Sequence, residues 1–158
     1  MKRRNFLQGL LLSSTVAMTV SPTLLSAEEK KAKKVGPNDM DYKTAETAIS
    51  AGKEVKESDK IKLTVPEIAE NGAVVPVKVE VDHPMEESNF VKAIHILNTK
   101  NGNARSADVM LTPMNGKGYF ATRIKLGGTQ EVVALVELSD GTFLKTAKSV
   151  KVTIGGCG

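Results

Sequence analysis

Val75-Pro76-Val77-Lys78-Val79-Glu80-Val81 places four valines at every second position, with Lys78 and Glu80 between them. Successive side chains of an extended strand point to opposite faces, so the valines share a buried face and the charges stand in solvent. Pro76 lacks the N–H that a central strand uses, which assigns the run to a sheet edge or a bulged start. Upstream, Ile61-Lys62-Leu63-Thr64-Val65 alternates in the same way and stops at Pro66. Asn71-Gly72 is a strong turn pair between the two runs. Downstream, residues 90–97 carry apolar side chains on both faces, the pattern of a central strand covered on two sides. Asn101-Gly102, Asn115-Gly116, Gly127-Gly128 and Asp140-Gly141 punctuate the rest of the chain. They delimit segments near 107–112, 119–126, 131–138 and 142–154, the last long enough for two strands or one with a bulge.

Some seven or eight strands spaced about 8–15 residues apart, with no helices between them, give an all-β fold. The expected architecture is an immunoglobulin-like antiparallel β-sandwich, with a barrel as the alternative. One short N-terminal helix precedes it over about 41–51, where Tyr42, Ala45 and Ile49 share a face, Asp39 or Asp41 caps the start and Gly52 stops the end.

Residues 1–27 read as an export leader. Lys2-Arg3-Arg4 form a basic head, residues 10–20 a moderately apolar stretch, and Ser26-Ala27 a cleavage region. The apolar stretch is too short and too polar for a spanning helix, so no membrane anchor is expected. Arg3-Arg4-Asn5-Phe6-Leu7 fits a twin-arginine signal, which implies export of folded protein to the periplasm. Residues 28–40 come next as a linker with a solvated lysine cluster, then 41–154 as one domain, and 155–158 as a terminal arm. The leader holds three of the 22 basic residues and none of the 18 acids, so the remaining chain carries a net charge near +1. That balance gives no reason to expect a nucleic-acid partner or an anionic membrane.

The body is poor in catalytic patterns. His83 and His95 are separated by a strand, and C-x-x-C and H-E-x-x-H spacings are absent, so neither a metal nor a catalytic residue is assigned. Glu67, Glu70, Glu86 and Glu87 cluster at turns as solvated carboxylates, and Met110 and Met114 are read as packing residues. Chemistry falls by elimination on Cys157, the single cysteine, in Lys151-Val152-Thr153-Ile154-Gly155-Gly156-Cys157-Gly158. One cysteine excludes an internal disulfide, and in an exported protein it points to intermolecular pairing or reactivity. Gly155, Gly156 and Gly158 are expected to form a flexible arm around it. Neither a base nor a helix N-terminus adjoins the thiol in sequence, so it suits a carrier activated by other proteins better than a stand-alone catalyst.

Beyond the tail, Pro66-Glu67-Ile68-Ala69-Glu70-Asn71-Gly72, Val75-Pro76-Val77, Pro84-Met85, Ile94-His95-Ile96, Thr122-Arg123-Ile124, Thr129-Gln130, Val132-Val133-Ala134 and Ser139-Asp140-Gly141 are notable. With the terminal motif, they make the chain resemble the SoxY family, the sulfur carriers of the periplasmic thiosulfate-oxidising Sox system. The resemblance implies a sandwich paired with a second sandwich subunit, SoxZ, and a covalent S-thiosulfonate on Cys157. It implies loading by the haem enzyme SoxXA, sulfate release by the manganese hydrolase SoxB, and oxidation of the remaining sulfur by a sulfane dehydrogenase. It places none of those cofactors on this chain. The family tail commonly ends Gly-Gly-Cys-Gly-Gly, whereas this one ends at Gly158. The competing reading is a structural or interaction module whose Cys157 only forms a disulfide between chains.

Overall fold

The computed structural model describes Gly36 and residues 38–156. The leader read at 1–27, most of the linker, and Cys157 and Gly158 lie outside the described residues.

The helix expected at the start is α1, Tyr42–Ser50. Asp41 caps it: one carboxylate oxygen accepts the Thr44 N–H at 3.0 Å and the other the Thr44 hydroxyl. Those two bonds hold the Asp41 carboxyl below its ordinary value. Ala51 ends the helix in the left-handed region with Gly52 following at φ 75°, an ending that glycine takes without strain. The other proposed cap, Asp39, instead accepts the Gly36 N–H.

Nine strands come after it: β1 Val55–Glu57, β2 Ile61–Thr64, β3 Ile68–Asn71, β4 Val75–Val81, β5 Val91–Asn98, β6 Arg105–Met110, β7 Gly118–Ile124, β8 Gln130–Leu138 and β9 Phe143–Ile154. They form two sheets. The larger has the order β1-β9-β8-β5-β6, with β3 attached to β9, and the smaller has the order β2-β4-β7. The inner faces meet in an aliphatic core that includes Leu63, Val75, Val79, Ile94, Ile96, Leu126, Val132 and Val150. The outer face of the larger sheet holds a second cluster, where Leu97, Ala104, Val133 and Leu135 pack with Ala45 of α1 and with Tyr42 and Ile49 beside it. This double cover explains why β5 is apolar on both faces and lies buried along nearly all of its length. The sandwich matches the expected fold class.

Four details differ from the sequence reading. The strand at 75–81 is the middle of its sheet, not an edge. Yet β2 reaches only as far as Lys78, so at Pro76 the sole neighbour is β7 and the proline keeps a locally open side. The sheets are not purely antiparallel, because both β1 and β3 pair with β9 in parallel. Asn71-Gly72 therefore joins two sheets rather than closing a hairpin. Met110 and Met114 are not packing residues; both project into solvent. The fourth difference is at the N-terminal boundary. Met40, assigned to the linker, belongs to the body: its N–H donates to Gly102 O, its carbonyl accepts from Ala104, and its side chain joins the cluster under α1.

Candidate functional site

The segment expected to carry the chemistry leaves the body through β9. This strand pairs with β8 from Phe143 to Val150 along one edge, and along the other with β1 over Phe143–Lys145 and then with β3 over its last four residues. Val150 and Val152 still face the core, so the strand stays anchored as it changes partner. On one side Lys151 N–H donates to Glu67 O, Thr153 Oγ1 donates to Glu70 O, and Gly72 N–H donates to Ile154 O at 2.7 Å. On the other, Thr129 Oγ1 accepts the Val152 N–H at 3.0 Å.

Past Ile154 the chain enters a narrow slot between the Asn71–Ala73 turn and the loop joining β7 to β8. Gly156 N–H donates to Leu126 O at 3.0 Å, and Leu126 N–H donates to Gly72 O at 2.7 Å. Gly72 thus bonds the tail through its N–H and the loop through its carbonyl. All three walls are backbone. A Cβ on Gly72 would overlap Leu126 O, and one on Gly155 would stand 2.5 Å from Gly127 O. A Cβ on Gly156 would stand 2.6 Å from Ala73 N. These glycines serve close approach, not an unusual φ. Gly155 and Gly156, expected on a free arm, lie instead against the body, and Gly156 is buried. Without side chains, their backbone fits where any other residue is too thick. Cys157 and Gly158 lie outside the described residues.

The loop wall of the slot is braced from the β5–β6 turn. Asn101 Oδ1 accepts from Gly127 N–H at 2.9 Å and from Gln130 Nε2 at 2.7 Å, while its Nδ2 donates to Lys125 O at 2.8 Å. Asn98, fully buried, holds that turn in place by accepting the Asn101 N–H and donating to Asn103 O, Ala104 O and Ser106 Oγ. The sequence reading missed this set. Its signal was present in the Asn101-Gly102 and Gly127-Gly128 pairs, but they read only as two separate turns. Ile68, Val74 and Ile154 remain exposed on the segments that build the slot.

The other residues considered from sequence do not assemble there. His95 is buried on β5, in register with Asp108 of β6 and Leu135 of β8. Its Nδ1 lies 2.5 Å from Asp108 Oδ1, Arg105 holds the second Asp108 oxygen at 2.9 Å, and Nε2 is buried without a partner. His83 meets the Asn89 side chain in its turn. Glu67, Glu70, Glu86 and Glu87 are exposed. Among the described residues, no three His, Cys, Asp or Glu side chains are grouped to hold a metal, and no helix is long and apolar enough to cross a membrane.

Comparison with known proteins agrees with the resemblance. A solved structure of the sulfur carrier protein SoxY from Chlorobium limicola f thiosulfatophilum aligns with a TM-score of 0.59 at 29% identity, covering 68% of this chain and 88% of that one. A superoxide reductase (neelaredoxin) from Ignicoccus hospitalis aligns with a TM-score of 0.54 at 19% identity, over 59% of this chain and 80% of that one. The superoxide reductase of Nanoarchaeum equitans does so with a TM-score of 0.52 at 15% identity, over 61% and 99%. At those two identities the likeness is one of fold alone. No curated protein sequence matches the chain. The family model "Sulfur oxidation protein SoxY" matches residues 46–157, a span that runs from α1 through the terminal cysteine. The chain belongs to the SoxY family of sulfur-oxidation proteins.

Proposed function

We propose that this protein carries thiosulfate-derived sulfur covalently on Cys157 and presents it to partner enzymes in the periplasm, after export by the twin-arginine route. The observation that carries the reading is the way the body ends. A twelve-residue strand, held on both sides, delivers Gly155-Gly156, the residues that precede Cys157 in the sequence, to one end of the sandwich. A reactive group joined to a rigid body through a short glycine segment enters the active site of another protein without the body having to unfold.

In the loading step, the Cys157 sulfur and the outer sulfur of thiosulfate form an S–S bond. The thiol proton leaves, two electrons pass to the haem enzyme SoxXA, and Cys–S–S–SO3⁻ results. Hydrolysis by SoxB adds water, releases sulfate and a proton, and leaves the persulfide Cys–S–SH. A sulfane dehydrogenase then oxidises the remaining sulfur. Neither a base nor a helix N-terminus adjoins Cys157 in the sequence, so activation of thiol and water is assigned to those partners. SoxZ is the expected permanent partner, and export in the folded state suits a pair assembled beforehand.

The test is intact-mass analysis of protein isolated from cells oxidising thiosulfate. A mass increase that maps to Cys157, disappears with reductant and is lost in Cys157→Ser is the expected result. An unmodified thiol throughout turnover sinks the reading.

A further inference from the structure

Carrier function asks only for an arm, yet the chain devotes Gly72 and a braced loop to holding the arm's root, Gly155-Gly156. We propose that the slot formed by Gly72, Ala73 and the Leu126–Gly127 backbone is a seat for the arm. In the seated form Gly155 and Gly156 are bound to the body, and in the released form they are free. Asn101 is a positioning residue that sets the balance between the two. The proposal rests on the carrier reading for its consequence, while the seat itself is independent of sulfur chemistry.

The seat has the properties of a reversible hold. The arm inserts no side chain. It is retained by one backbone bond, Gly156 N–H to Leu126 O, and by glycine backbone against backbone. Release exposes little apolar surface and leaves Gly72 bonded to both Ile154 and Leu126. Release frees two residues, Gly155 and Gly156, and at about 3.5 Å per extended residue it lengthens the tether to Cys157 by roughly 7 Å. The Pro66–Gly72 stretch, marked in the sequence and unused by the carrier chemistry, thereby gains a role: it pairs with β9 and ends in Gly72, which forms one wall of the seat. Asn101 never touches the tail. It ties Gly127 N–H, Gln130 Nε2 and Lys125 O together, and so fixes the carbonyl that receives Gly156.

Amide hydrogen exchange on the full reduced chain tests the seat. The Gly156 amide should exchange at least about tenfold more slowly than an unstructured amide. Gly156→Ala cannot seat, because its Cβ would stand 2.6 Å from Ala73 N. Its residue-156 amide should exchange at the unstructured rate, while Ile94 and Ala134 in the core keep their protection. Asn101→Ala should lower protection at Gly156 without moving the core amides. Asn101→Asp keeps the acceptor for Gly127 and Gln130 but turns an oxygen on Lys125 O, so it should restore only part of the loss. An unprotected Gly156 in the parent protein, or undiminished protection in Gly156→Ala, overturns the seat.

If partners take only the released arm, their apparent affinity falls by the released fraction. Loading with thiosulfate and a periplasmic extract of thiosulfate-oxidising cells, followed by intact mass, should then run about tenfold faster for Gly156→Ala when the carrier is limiting. Equal loading rates with protection lost overturn the proposed role and leave the carrier reading standing. No adduct on either protein removes the carrier reading, and the arm's role with it, whatever the exchange result.

Discussion

The sharpest prediction for the body concerns Gly72→Ala, a single methyl group placed where three backbone segments converge. The new Cβ would overlap Leu126 O, stand 2.7 Å from Gly156 N and stand 2.8 Å from Val152 Cγ1. Two of those atoms are backbone and cannot rotate aside, so a wall of the slot must move. Overpacking of this kind costs about 1–3 kcal/mol. The movement also strains the two 2.7 Å bonds through which Gly72 holds Ile154 and Leu126, each worth about 0.5–1.5 kcal/mol. Against this, replacing glycine by alanine restricts the unfolded chain and contributes about 0.4–1 kcal/mol of stabilisation. The net is a loss of about 3 kcal/mol, or a Tm lower by roughly 10 °C for a domain of this size. Urea unfolding followed by circular dichroism measures it. Gly128→Ala is the control, since a Cβ there meets nothing within 4 Å; it should leave stability unchanged or raise it slightly. A Gly72→Ala protein as stable as the Gly128→Ala control would refute the reasoning, because the slot would then have slack that its geometry denies.

Asn98→Ala should cost about 2–4 kcal/mol in the same assay, because a fully buried amide that makes four hydrogen bonds is removed and Ser106 Oγ and the Asn101 N–H lose partners. Stability should also fall at both ends of the pH range through the Tyr42–Glu46–Lys145 chain. Burial raises the Glu46 carboxyl, but Lys145 Nζ and Tyr42 OH outweigh it, so Glu46 lies below its ordinary value of 4.5. Its contribution is complete above that value and lost as pH drops beneath it. Tyr42 is raised above its ordinary value of 10.0 by burial and by the hydrogen bond to Glu46, so its contribution is complete below pH 10 and lost as pH rises past it. Glu46→Gln should flatten the acid limb and Tyr42→Phe the alkaline one in urea titrations across pH. Unchanged limbs in those variants would locate the pH dependence elsewhere.

The strands legible in the sequence are those that bury a periodic face. β2, β4 and β5 announce themselves through Leu63, the four valines and Ile94-Ile96, because the pattern that drives burial is local. β1 and β3 do not. Of the four residues of β3, only Ala69 is buried, and the strand exists because β1 covers β9 only over Phe143–Lys145 and leaves the rest of that edge open. A stretch recruited by its neighbour's backbone leaves no apolar signature of its own. β9 invited a reading as two strands because its length exceeds what one partner needs. It is one strand, with β8 along one edge and β1 then β3 along the other, and that arrangement is tertiary. The same limit separates Cys157 from the slot. A lone cysteine beside glycines is visible in a line of text, whereas the meeting of Gly72, Leu126 and Gly156 joins residues from three distant segments.

That difference bears on how the tail is understood. Along the chain, Gly155-Gly156 is a hinge, since glycine permits every conformation. In space, the same two residues are the only ones thin enough to pass between Gly127 O and Ala73 N. Both properties come from the missing Cβ, and they act on different states. Thinness lowers the energy of the seated arm, and conformational freedom raises the entropy of the released one. A substitution that removes the first therefore shifts the balance even where it also stiffens the second. A clash of backbone atoms exceeds the roughly 0.4–1 kcal/mol gained by restricting one free residue. Alanine at position 156 should for that reason act as a releasing change, and an observed tightening of the tail would mean that freedom, not fit, is what glycine contributes there.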